Sequence, residues 1–345
     1  MKNIKRKLLF LEKISNTYSD ITQRKRATSS YSLDEYPKSD ASEENKSKVW
    51  YAPNVTGRVV YHSYNSYGDG SSSLYVLNLE TKLLDRISSS WTNVSDPMNA
   101  VWTADGKKIV FMGIDNSNCT WDLYSYTIGK NGNPINLTNN SKSRDEDPKF
   151  YPGSNNKIVF KSTYGEMYYI KTMDISANII TTIYSSSSME CSMPFYSDDG
   201  VYIFFSGLLR DEADIYVIPS LGGIPEKVSG CADVGISEYY PITKDSTGFF
   251  YTRPDPNDMI YFKNTQTDDK PINMPFNVSD ADNSDVCVVN SNYTIISSNR
   301  LGGVGGYDLY ICDNKTGESW SLNSYNDEVN TSKNELGAAY TSTIN

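Results

Sequence analysis

The sequence predicts an all-β chain folded as a six-bladed β-propeller with four-stranded blades, and three observations carry that reading. A short β-prone run ending in a bulky residue recurs six times: GRVVY at Tyr61, KKIVF at Phe111, NKIVF at Phe160, VYIFF at Phe205, TGFFY at Tyr251 and YTII at Ile296. An aliphatic residue followed by tyrosine recurs in step, at Tyr75, Tyr124, Tyr168, Tyr216, Tyr261 and Tyr310. Both landmarks return roughly every 45–50 residues, the length of one propeller blade. Long helical periodicity is absent.

The elements follow in chain order. Residues 1–26 hold eight basic residues against Glu12 and Asp20. Their apolar run, Leu8 to Leu11, is too short for a secretory core of about 7–15 residues. Ile4, Leu8 and Leu11 instead share one helical stripe, so a basic, amphipathic N-terminal extension is expected. Residues 27–48, rich in serine and charge and poor in aliphatics, read as a linker, and 49–345 as the propeller. Within each repeat, Asp-Gly turns such as TADGKK (103–108) and SDDG (197–200) join an inner strand to the landmark strand. A loop and the tyrosine-bearing strand come next, and a short fourth strand such as LLDRIS (83–88) or PEKVS (225–229) ends the unit. One blade cannot bury both faces alone, so neighbours must stack on it. The first repeat lacks an inner strand, because the linker runs directly into GRVVY. NELGAAYTST (334–343) has the pattern of the missing strand, so the C-terminal strand should pair with the first blade and close the ring.

Composition narrows the function. A net charge of −10 argues against a surface built for phosphate backbones, so no nucleic-acid partner is expected. No apolar run is long enough for a transmembrane segment. A single histidine, His62, excludes a multi-histidine metal centre and reads as a hydrogen-bonded strand residue. The five cysteines are widely spaced and never in CxxC order, so they read as small buried hydrophobes kept reduced. With no export signal in the sequence, a cytoplasmic, monomeric protein is expected, the cell envelope or secretion by another route being the alternative.

DPKFYP (147–152), MPFYSDDG (193–200), TADGKKIVF (103–111) and EADIYV (212–217) together resemble the TolB-type propeller repeat. So do SSNRLGGVGGYDLYICD (297–313) and VNTSKNELGAAYTS (329–342), and the resemblance covers about residues 50–345. It implies a six-bladed propeller that binds proteins, peptides or glycans. The sialidase repeat Ser-x-Asp-x-Gly-x-Thr-Trp is not found. The histidines of oligogalacturonate-type lyases and the GxSxG of prolyl-peptidase hydrolase domains are missing as well.

Candidate site residues come from the loops of one face. Acids precede the inner strands at Asp96, Asp147, Glu190, Glu238, Asp285 and Glu335. Converging like charges require a cation or a basic partner group to stay ionised together, which makes Ca2+ or an ammonium-bearing ligand at the channel mouth the expectation to test. Arg210, Arg253 and Arg300 lie on the second-strand loops, where guanidinium groups clamp carboxylates or phosphates. The run Gly302, Gly303, Gly305, Gly306 precedes no helix and reads as a tight or bulged turn rather than a phosphate loop. The favoured function is a non-enzymatic binding or scaffold module holding a protein segment or glycan at the channel face. A glycan-active hydrolase or lyase using paired carboxylates is the alternative.

Overall fold

The computed structural model describes residues 52–343 except 140, 141, 234 and 268. The expected basic extension and linker lie outside the described residues. Six four-stranded antiparallel sheets are present. Their inner strands are Asn334–Thr341 for the first blade, then Val94–Trp102, Arg144–Phe150, Glu190–Tyr196, Tyr239–Asp245 and Asn283–Val288 for the second to sixth. Each inner strand touches the next, and the last touches the first, so the sheets form a closed six-membered ring. One 3₁₀ turn, Leu322–Ser324, is the only helical element among the described residues.

Closure follows the sequence reading. Asn334–Thr341 pairs antiparallel with Arg58–Tyr64, from Arg58 opposite Thr341 to Tyr64 opposite Asn334. Trp102 of the second blade adds an indole N–H bond to the Ala339 carbonyl at 3.0 Å. The chain ends are thus held by the same backbone pairing that holds every blade, and the sheet of the first blade has no missing strand.

A single row of residues runs through all six blades and sets the geometry of the centre. Each inner strand carries a β-bulge in which two residues oppose one on the second strand: Asn99–Ala100, Asp147–Pro148, Met193–Pro194, Tyr240–Pro241, Asp285–Val286 and Gly337–Ala338. The first residue of every bulge is left-handed, with φ of 51°, 53°, 53°, 57°, 51° and 62° in that order. The single residue opposite is always the first sequence landmark: Phe111, Phe160, Phe205, Tyr251, Ile296 and Tyr61, each essentially solvent-free. These bulky side chains fill the space between blades, while the bulge bends the inner strand around the channel.

The second landmark needs one correction. Tyr75, Tyr124, Tyr216, Tyr261 and Tyr310 sit opposite Tyr61, Phe111, Phe205, Tyr251 and Ile296 on the third strand. In the third blade the residue opposite Phe160 is Lys171, and Tyr168 pairs with Thr163 instead. Only Gly165 and Glu166 separate the paired Tyr164 and Met167, so this tight hairpin places Tyr168 near the loop end, three residues early. Lys171 answers the change by donating to the Ser162 hydroxyl at 3.0 Å and lying over the Tyr169 ring.

Candidate functional site at the channel

The bulge row decides which acids reach the centre. Asp147 and Asp285 are bulge residues, from the third and sixth blades, which face each other across a six-membered ring. Asn99 Nδ2 donates to Asp147 Oδ1 at 2.9 Å, and the Gly337 N–H points to Asp285 Oδ2 at 3.4 Å. Gly337 has to be glycine. Its φ is 62°, and a Cβ there would lie 2.5 Å from the His62 ring. His62 is buried beneath it with Nδ1 3.5 Å from the Asn99 N–H, and burial, then Lys149, press its pKa down to about 3. It is a neutral strand residue, as expected.

Sequence reasoning missed Lys149. Two residues after Asp147 on the same inner strand, it is half-buried, and its charge acts on Asp147, Asp285, Cys287 and His62 together. Lys149 therefore belongs to the channel. Its ammonium lies 5.9 Å from the Phe195 ring centroid and makes no hydrogen bond or ion pair among the described residues. Burial lowers its pKa against the opposing pull of Asp147 and Asp285. Burial likewise raises the Asp285 carboxyl to about 6, despite Gly337 and Lys149, and raises Asp147, helped by Glu146.

The other acids are placed elsewhere. Asp96, three residues before the bulge, accepts from the N–H groups of Gly70 and Ser72 and pins the 65–72 loop. Glu238 and Glu335 lie two residues before their bulges, fully buried between blades. Glu335 accepts from Ser63, Thr331 Oγ1 and the Thr331 N–H. Burial drives Glu238 up to about 7, with the Asp233 N–H and Arg253 pulling the other way. Glu190 is bound to Lys161 at 3.4 Å. Among the described residues no three Asp, Glu, His or Cys gather as a metal would require, so the expected convergence of six acids reduces to Asp147 and Asp285 around Lys149.

The arginines do not share a site either. Arg253 lies over Tyr261 and pairs with Asp233 at 3.0 Å. Arg300 lies over Tyr310 and donates to Asn283, Ser298 and the Phe276 carbonyl. Both brace the tyrosine row of their own blades, and Arg210 is an exposed hairpin residue with φ of 56°. The glycine run lies in the 299–307 connection and lets the 331–333 segment come close: a Cβ at Gly305 would meet the Thr331 and Lys333 carbonyls at 2.3 and 2.1 Å. Four cysteines are buried as expected, whereas Cys119, at a left-handed position in the 116–120 loop, is exposed.

A second group lies on the face where the inner strands begin. Tyr67 and Arg144 both cover Trp121, with centroid distances of 5.6 and 5.2 Å. Arg144 also donates to the Tyr67 hydroxyl at 2.7 Å and binds Glu146 at 2.6 Å. Burial opposes ionisation of Glu146, but Lys161 and Arg144 outweigh it and hold the carboxyl below its usual range. Tyr67 remains 49% exposed above this network.

A closed ring of six four-stranded blades with an inner-strand bulge in each defines a six-bladed β-propeller, and the fold is that of TolB-type propellers. The chain is similar to TolB from Acinetobacter baumannii, with a TM-score of 0.63 at 14% identity over 84% of this chain and 68% of that one. Hydrazine synthase from Kuenenia stuttgartiensis matches with a TM-score of 0.63 at 12% identity over 84% of this chain and 47% of that one. A Mycobacterium tuberculosis puromycin-hydrolyzing peptidase matches with a TM-score of 0.50 at 13% identity over 76% and 45%. No protein-family model and no curated protein matches the sequence. Similarities at this identity establish the fold alone.

Proposed function

We propose that this propeller is a binding module that holds a polar, charge-bearing ligand, a protein segment or a glycan, at its channel face. The observation that carries this reading is the unpaired Lys149 ammonium between carboxyls from opposite blades, Asp147 and Asp285. A structural ion pair would bring the charges into contact, since a buried charge without a partner is costly. Here three charged groups act on one another without an ion pair among them, which suits a ligand offering both donors and acceptors. The Tyr67–Trp121–Arg144 group supplies an aromatic surface on the face where the inner strands begin. No helix of the described residues is long and apolar enough to cross a membrane. Five unbridged cysteines support the cytoplasmic reading.

A pull-down from lysate paired with a glycan array, on wild type and on Lys149→Ala with Asp285→Asn, tests the proposal. A ligand retained by the wild type and lost by the double variant is the expected result. Equal capture by both would remove the channel from the function. The raised Asp147 and Asp285 carboxyls favour a second reading, acid–base cleavage of a glycan, in which one carboxyl is protonated while the other is not. That reading requires reducing ends to appear from a polysaccharide panel and to vanish with Asp285→Asn.

A further inference from the structure

Lys149 has a second property that recognition alone does not use. An amine attacks a carbonyl only as the free base, and it needs a nearby group to take and return protons. Both requirements meet at this position. The side chain is half-buried in the channel and its nitrogen is bound to nothing among the described residues. Asp147 lies on the same strand and Asp285 on the opposite blade, each within electrostatic reach, and neither carboxyl is locked in an ion pair with the lysine. The other titratable groups facing the amine are His62 beneath Gly337, which is neutral, and Cys287, whose thiol burial pushes up to about 12. Glu146 and Lys161 face Asp147 from the rim side but are bound to one another. The microenvironment thus combines an unpaired, half-buried lysine that burial turns toward its neutral form with two carboxyls that burial makes readier to hold a proton, Asp285 at about 6.

We propose that Lys149 is an imine-forming lysine, which captures an aldehyde-bearing ligand in the channel as a reversible Schiff base. After passing its proton to Asp147 or Asp285, Nζ attacks the aldehyde carbon, and the carbonyl π pair becomes a hydroxyl on protonation. The carbinolamine then loses that hydroxyl as water, with a proton returned by the carboxylic acid, while the nitrogen lone pair forms the C=N bond. Amine and aldehyde give imine and water, so no oxidant or reductant is consumed. The inference rests on the proposed binding face and adds that its ligand carries an aldehyde.

Borohydride trapping with peptide mapping tests it. The full-length protein is incubated with D-glyceraldehyde, standing for a small free aldehyde, or with cellobiose, standing for the reducing end of a glycan, and reduced with cyanoborohydride. Lys149 should be labelled at least about tenfold faster than the exposed Lys82, Lys107 and Lys315, and its lead should widen from about pH 9 to about pH 7, where ordinary lysines lose about tenfold in free base per pH unit. The productive probe identifies the source of the aldehyde. Lys149→Arg, which keeps the charge, should leave the surface labelling unchanged and remove the enriched site. Labelling of Lys149 no faster than the exposed lysines with either probe overturns the proposal. Ligand capture that persists without any trapped adduct would leave the binding face standing and remove the imine alone.

Discussion

The layer between blades and the lining of the channel repeat in different ways. Between blades the chain repeats side chains: Tyr61, Phe111, Phe160, Phe205, Tyr251 and Ile296 fill one position, and five tyrosines fill the next. At the channel it repeats backbone instead, with six left-handed bulge residues within 11° of one another in φ. Their side chains are Asn, Asp, Met, Tyr, Asp and Gly, with no shared chemistry. The contrast separates two demands. Packing volume must be right in every blade or the ring does not close, whereas a fixed bulge presents any side chain to the centre without disturbing its neighbours. Variation confined to a rigid frame is the pattern expected of a recognition surface.

The contrast can be broken most severely at the seam. Removing residues 334–345 deletes the strand paired with Arg58–Tyr64 and leaves the first blade's edge open. Cooperative unfolding should be lost or its midpoint fall by more than about 10 °C in calorimetry. An unchanged midpoint would mean that the stacking of blades, rather than closure, holds the ring. Next in size are truncations in the inter-blade layer. Tyr251→Ala or Phe205→Ala empties a solvent-free site and should cost about 3–5 kcal/mol in denaturant titration.

Channel substitutions should act on pH dependence more than on stability at one pH. Burial raises the Asp285 carboxyl to about 6 in the folded protein, against 3.8 for an ordinary aspartate. The folded state therefore binds more protons than the unfolded state between those values, and this group's contribution to stability falls as pH rises through the window. Asp285→Asn should remove a loss on the order of 3 kcal/mol between about pH 4 and pH 6. The measured quantity is the difference between wild type and variant across that range, and parallel curves would refute the raised pKa. His62 contributes with the opposite sign. Its pKa is lowered from 6.5 to about 3, so the unfolded state binds the extra proton and stability rises with pH over that interval. The smallest effect belongs to Met193→Gly. Glycine relieves the left-handed backbone at φ of 53° but adds entropy to the unfolded chain, so the net change should stay within about 1 kcal/mol. A larger loss would show that the side chain, and not only the bulge, supports the ring.

The sequence revealed the frame more readily than the centre, for the same physical reason. Inter-blade packing selects residue types, so the aromatic landmarks counted six blades and exposed the strand missing from the first. The left-handed bulge selects a backbone conformation that Asn, Asp, Met, Tyr and Gly all adopt here, so residue type does not mark it. Acids read as equivalent proved to occupy three different offsets from the bulge: Asp147 and Asp285 on it, Glu238 and Glu335 two residues before, Asp96 and Glu190 three before. Of these acids only the two on the bulge interact with Lys149. Proline after a left-handed residue at Pro148, Pro194 and Pro241 offered a usable marker, but Asp96-Pro97, with Asp96 at φ of 47°, forms a second bulge opposite Gly113, three residues ahead of the one opposite Phe111. Lys149 carried no motif at all. Its importance arises from the opposite blade, which no local pattern records. In the third blade, Tyr168 fitted the aliphatic-Tyr pattern but not the strand register, a matter decided by hairpin length.

The seam has a mechanical side as well. Because Arg58 lies opposite Thr341, the first residue of one strand and the last of its partner sit at the same end of an antiparallel pair. Tension applied through the two ends of the propeller would load these hydrogen bonds one after another, as a zipper opens, instead of all at once in shear. The closed ring would thus yield to a modest pull at this one place.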